Sequence, residues 1–324
     1  MQPSNHLPAN RPAFVRSALL VATLVLAGAG SAAAQTYTVP VPESARAARP
    51  ADSASKRGLL YEIKSDAGTV YLFGTLHVGK PEFYPLDAQV NRAFAASSVL
   101  YLEVNLADSS IVQTASELGT YPEGPGLDRA LSPSVRTRVD AALKRYGLPR
   151  EAAVRMKPWM LGQTLLLLEA ARRGYDPAYA TEMHLLGLAS AQRKEVRGLE
   201  TLAEQLAIFD RLPESGVQFL DEILDALDDP RMGSHLDALV EAWSHADARG
   251  LADELARERA EGTPFSREVL PLLVDKRNRT MTESIAGIAR SGKTTFVAVG
   301  ALHLVGSDGI VELLRARGFS VRAL

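Results

Sequence analysis

The chain has 324 residues, no cysteine, and 36 basic against 38 acidic side chains, a formal charge of −2. Zero cysteine excludes disulfides, thiolate metal sites and thiol nucleophiles, so any metal must use imidazole, carboxylate or amide ligands. The near balance of charge gives no support to nucleic-acid binding.

At the N-terminus, Arg11 and Arg16 precede an uncharged run over residues 17–30 that ends in "SAAAQ". That run is too short to span a bilayer comfortably, and Ala32 and Ala34 fit an A-x-A cleavage pattern, so residues 1–34 read as a secretory signal. Its removal takes away two arginines and no acid, leaving a mildly acidic, exported chain. Localisation in the periplasm, or secretion, is the expectation. No second long apolar run occurs, so no stable membrane span is expected after processing.

Residues 35–58 mix Pro, Ala and Ser without any period and read as an extended leader, which leaves one folded domain over 59–324. "LLYEIKS" and "TVYLFG", separated by Asp66-Ala67-Gly68, are an expected strand pair. A helix follows from Asp87, its expected N-cap, to about Ala96, and "VLYLEVNL" is the next strand. Over about 108–270 long helical patterns dominate, with "KEVRGL" the one clear strand signal, and the stretch reads as a helical insertion. The tail then runs helix (about 267–290), strand "TFVAVG", helix (309–317) and strand "FSVRAL".

Set side by side, the two ends share a layout: "TVYLFGTLHVG" at 69–79 and "TFVAVGALHLVG" at 295–306 each run from an apolar strand into Gly-x-x-His and a second glycine. The expected fold class is therefore α/β, with a central sheet formed by two similar β-loop-α-β units from the N- and C-terminal parts and the helical insertion between them. Such loops lie at the carboxyl edge of a sheet, where ligand sites of open α/β sheets gather. If the units are neighbours, His77 and His303 can face one another. Two imidazoles are a common nucleus for a divalent metal site, and Zn²⁺, Mn²⁺ and Co²⁺ fit such ligands about equally.

A catalytic metal site usually adds a carboxylate, and Glu103 interrupts the apolar run of "VLYLEVNL", where a buried acid must be paired or metal-bound. The alternative is an acid at a strand end facing water. In the helix after residue 267, Leu270, Val274, Met281, Ile285 and Ile288 follow a 3.6-residue period, and Arg277 and Asn278 fall on that inward stripe. Arg277 could bind a substrate carboxylate or a developing oxyanion, or form a structural ion pair with an acid such as Glu103; Asn278 could donate or be a neutral ligand. Glu200, Glu204 and Gln205 open an amphipathic helix in which first-turn acids suit the macrodipole. His184 is either a structural helical histidine or a third histidine of a metal site. No Gly-rich phosphate loop, G-x-S-x-G elbow or H-E-x-x-H motif is present.

At these residues the sequence resembles the TraB/GumN family, which also contains the Tiki-type membrane-associated proteases. The resemblance rests on "LFGTLHVGKPEFYPL", "LYLEVNL", "KPW", "GYDP", "GLETLAEQ", "DKRNRTM" and "FVAVGALHLVG", in that order along nearly the whole mature chain. It implies an α/β core in which the paired Gly-x-x-His motifs and the strand glutamate form a metal-dependent hydrolase centre. The resulting expectation is an exported metal-dependent hydrolase, acting on peptide or amide bonds of a peptide or other small substrate. His77, His303 and Glu103 would bind the metal, and Glu103, Arg277 and Asn278 would serve catalysis. Two rivals stand beside it: a non-catalytic periplasmic binding protein for a peptide or small ligand, and an accessory protein of envelope polysaccharide export.

Overall fold

The computed structural model describes residues 57–324; the expected signal segment and nearly all of the leader lie outside the described residues. The fold is α/β, with many helices around one six-stranded sheet. The strands are β1 (Leu60–Lys64), β2 (Thr69–Thr75), β3 (Val99–Leu102), β4 (Glu195–Gly198), β5 (Thr294–Gly300) and β6 (Ser320–Ala323), in the order β4-β3-β5-β2-β1-β6. β4, β3, β5 and β2 pair in parallel, whereas β1 is antiparallel to both its neighbours, so the sheet is mixed.

The strand pair expected around Asp66-Ala67-Gly68 is the β1–β2 hairpin, whose turn is closed by Ser65: its hydroxyl accepts from the amides of Ala67 and Gly68. In β2 and β5 consecutive residues are buried, including Leu72 and Phe73, and Phe296 to Val299, all at 0% exposure. Successive side chains of a strand point to opposite faces, so both faces of the sheet centre are covered. Phe73, Phe94 and Phe296 meet there, with ring centroids 5.9 and 5.3 Å apart.

β2 and β5 are direct neighbours, with Thr75 opposite Gly300. Beyond β2 come a short turn, the helix Ala88–Ala96 and β3; beyond β5 come the turn Ala301–Leu304, the helix Ile310–Ala316 and β6. Asp87 caps the first of these helices through a 2.7 Å bond from the Gln89 amide. β3 lands beside β5 and β6 beside β1, at the opposite edge.

The stretch between β3 and β5 is helical apart from β4, which pairs with β3 and so returns the chain to the sheet edge. A second aromatic group, Trp159, Phe209 and Phe219, builds the interior of that helical part. The single helix expected over about 267–290 is two, Pro264–Leu273 and Asp275–Ala289, broken at Val274 (φ −115°, ψ −67°). Pro271 cannot donate to the Arg267 carbonyl and crowds it, which weakens the last turn before the break.

Candidate functional site

The glycines of the first motif have packing reasons. A Cβ on Gly74 would lie 3.1 Å from Ala301 Cα, so this glycine lets the second loop close on the first. One on Gly79 would fall 2.0 Å from the Tyr179 carbonyl oxygen, where the loop pairs with residue 176 through two backbone hydrogen bonds, 3.0 and 2.8 Å. The chain between them is clamped as well: Leu76 donates its amide to Thr181 Oγ1 (2.6 Å), and Thr181 returns both its amide and its hydroxyl to the Leu76 carbonyl. The helix Thr181–Ala191 therefore begins against the His77 loop, and its first turn carries Glu182 inward.

His77 Nδ1 lies 2.8 Å from Glu182 Oε1, with both side chains buried. The approach lacks hydrogen-bond geometry, and His77 Nδ1 and both oxygens of Glu182 have no hydrogen-bond partner. Burial works against a proton on His77, but the Glu182 carboxylate outweighs it, so the imidazole holds a proton more tightly than usual. His77, Glu103, Glu182 and Gln205 line one cavity of about 30 Å³, room for a single water-sized occupant.

Glu103 stands one residue beyond β3 and is 7% exposed. Its Oε1 accepts from the Gly300 amide at 2.6 Å; its Oε2 accepts from Arg277 Nη2 (2.6 Å) and Gln205 Nε2 (3.2 Å). Burial alone would raise this carboxyl, but the Arg277 guanidinium and the Gly300 amide win and hold it well below the usual carboxylate range. The acid thus faces inward and is paired.

Arg277 is 4% exposed and has every nitrogen engaged. Nε and Nη2 bind Glu200, Nη2 also binds Glu103, and Nη1 donates to the Leu273 carbonyl and to His303 Nε2, both at 3.2 Å. Glu200 is pushed up by burial, against the pull of Arg277, and Arg277 itself holds its proton more tightly than a free arginine.

Asn278 donates from Nδ2 to the Asp308 carbonyl (2.8 Å), which fixes its amide so that Oδ1 faces His303 Nδ1 at 2.6 Å. An acceptor there requires the Nδ1–H tautomer, leaving Nε2 as the acceptor that Arg277 uses. Burial drives the His303 imidazole down to about 3, so the ring is neutral, and its 3.7 Å approach to Glu103 is no charge pair.

The structure therefore brings His77, Glu103, Arg277, Asn278 and His303 to one buried centre at the carboxyl edge of β2, β3 and β5. Among the described residues, no three His, Asp or Glu side chains are grouped at metal-binding spacing. His184 stacks on Tyr84, ring centroids 4.1 Å apart, and burial lowers its proton affinity to about 4. Glu182, Glu200 and Gln205 belong to the centre but were not among the expected site residues; a helix's first turn gives Glu182 an ordinary reason to be there. Beside the centre, residues 104–114 and 198–204 border a cleft of about 440 Å³ that shares Val104 and Glu200 with it.

A family model described as the TraB/PrgY/gumN family matches residues 59–323. The chain is 23% identical over 246 residues to the uncharacterized protein YbaP of Escherichia coli (strain K12), covering 76% of this chain and 87% of that one. It is 25% identical over 316 residues to Metalloprotease TIKI1 of Danio rerio, and 24% over 336 residues to the Metalloprotease TIKI homolog of Amphimedon queenslandica. Those matches cover 81% and 89% of this chain but only 62% and 65% of the two relatives. No solved structure matches the chain. With the family model covering the whole sheet and every residue of the buried centre, the chain belongs to the TraB/PrgY/gumN family.

Proposed function

We propose that this chain is an exported metal-dependent hydrolase, acting on peptide or amide bonds. One observation carries the reading: the buried carboxylates of Glu103 and Glu200 share a single guanidinium, Arg277, while Glu182, buried beside His77, has both oxygens free of hydrogen bonds. A buried excess of negative charge is costly in a low dielectric, and a divalent cation at the cavity would offset it. The donors present fit such an ion, and their chemistry leaves Zn²⁺, Mn²⁺ and Co²⁺ open. The likeness to proteins named metalloproteases, at 24–25% identity, points the same way.

His77 and Glu103 would hold the ion. His303 could join them only if Arg277 released its Nε2. When bound, the ion would supply Lewis acidity toward a carbonyl and toward water. Glu103 would either ligate or take a proton from the attacking water, while Arg277 clamps Glu103, and Asn278 sets the tautomer of His303. An extended peptide would lie in the cleft next to Glu200, beyond the carboxyl ends of β3 and β4. In the same reading the sheet centre consists of two equivalent β-loop-α-β units, residues 1–34 are a signal segment, and the mature protein works in the periplasm or outside the cell.

Calorimetry and elemental analysis test this directly. One Zn²⁺, Mn²⁺ or Co²⁺ per chain is expected, and none in His77→Ala. A folded protein that binds none of the three sinks the reading. The saturation of Arg277 and Glu103 by each other favours one rival, a cleft that binds a peptide without turnover; stoichiometric binding with no product, metal present, would establish it.

A further inference from the structure

We infer that Glu182 and Gln205 complete the cation-holding set beside His77, so that two residues outside the Gly-x-x-His motifs are ligands of the ion. This rests on the metal-dependent reading above and names its ligands.

Four buried donor atoms around the 30 Å³ cavity have no hydrogen-bond partner: His77 Nδ1, Glu182 Oε1, Glu182 Oε2 and Gln205 Oε1. Their residues are only 5, 6 and 4% exposed, so bulk water does not satisfy them. A buried polar atom without a hydrogen-bond partner is costly, and the residues that carry these four line one cavity, where a bound cation would satisfy them together.

The orientation of Gln205 is set by its neighbours. Its Nε2 donates to Glu103 Oε2 and Glu200 Oε1, both 3.2 Å away. Two carboxylates demand the amide's donor end, so Oε1 is left over as a neutral oxygen ligand. Glu182 is held just as firmly, because the residue before it, Thr181, is tied to Leu76, one residue before His77. His77 Nδ1 and Glu182 Oε1 approach to 2.8 Å without aligning into a hydrogen bond, so both become ligand atoms once an ion replaces the imidazole proton.

The test titrates Zn²⁺ into the folded protein by calorimetry and records the d–d absorption of the Co²⁺ form, for the unmodified chain, Glu182→Gln, Gln205→Met and, as an exposed control, Glu151→Gln. Expected are one ion per chain, affinity lowered by about tenfold or more in Glu182→Gln and Gln205→Met with an altered Co²⁺ spectrum, and no change in the control. If the unmodified chain binds one ion while both variants keep its affinity and spectrum, the ligand assignment is overturned and the metal-dependent reading stands. If the unmodified chain binds no ion, that reading falls, and the assignment with it. Should Glu182→Gln not fold, Gln205→Met decides, because it replaces the amide by a side chain of similar length.

Discussion

Arg277 binds two buried carboxylates at once, and this makes it the residue whose loss the native state tolerates least. Removing one partner of a buried ionic network leaves uncompensated charge, which typically costs about 3–5 kcal/mol. Arg277→Met is therefore expected to lower the urea-unfolding free energy by about that amount. A loss below 1 kcal/mol would mean that Glu103 and Glu200 find water or protons instead. Asn278 acts more finely. Asn278→Ala removes the acceptor of the His303 Nδ1–H, so ¹⁵N NMR of the imidazole should show the Nε2–H tautomer appearing; an unchanged tautomer would mean that Arg277 alone fixes the ring. The inward stripe of the helical pattern already showed that Arg277 and Asn278 point to the interior. The pairing of Arg277 with Glu103 was one of the sequence alternatives, whereas Glu200 and Asp308 could not be read as partners, because they are brought in from other parts of the chain.

Elements carry these residues to the centre, and their ends decide how well. The helix Leu202–Asp210 starts at Thr201, whose side chain accepts from the Glu204 amide while Glu204 returns to the Thr201 amide, a complete capping box. Glu204, read from sequence as a possible macrodipole partner, is thus a cap, and the residue after it, Gln205, is turned to the site. Thr201→Ala should cost about 1 kcal/mol of stability and loosen Gln205. Equilibrium denaturation measures the first, and hydrogen exchange at residues 202–205 the second; unchanged exchange would show that packing alone holds this turn. Gly79 is a sharper case. Its missing Cβ lets the His77 loop lie on residues 176–179, so Gly79→Ala should destabilise the protein by about 1–3 kcal/mol through this clash and shift the His77 resonances. Gly79 was legible as the second glycine that follows each Gly-x-x-His, whereas the backbone it must admit lies about a hundred residues further along.

For the whole molecule, protonation links one buried histidine to global stability. Burial lowers His184 to about 4 from an ordinary 6.5, so between these values the unfolded chain binds a proton that the native chain refuses. Its contribution is complete above pH 6.5, is lost as pH falls toward 4, and changes no further below that; the full shift amounts to at most about 3 kcal/mol. His184→Phe keeps a ring on Tyr84 and removes the titration, so its unfolding free energy should depend less steeply on pH between 6.5 and 4 than that of the unmodified chain. Equal slopes would show that His184 is already hydrated. The helical part is fastened to the site edge in a similar global sense, by Trp243 donating to the Gly74 carbonyl at 2.8 Å.

Several features were determined by the sequence alone, because they depend on neighbours in the chain: the α/β class, the β1–β2 hairpin, the Asp87 cap, the inward faces of Arg277 and Asn278, and the likeness that places the chain in its family. Periodicity and turn chemistry act over a few residues, so a linear reading reaches them. Other features belong to the tertiary structure: β2 lying against β5, β4 returning to the sheet, the break at Val274, and the meeting of Glu182, Glu200 and Gln205 with His77 and Glu103. Apart from the break at Val274, these rest on contacts between segments roughly a hundred or more residues apart, where burial and charge pairing, rather than local propensity, choose the partner.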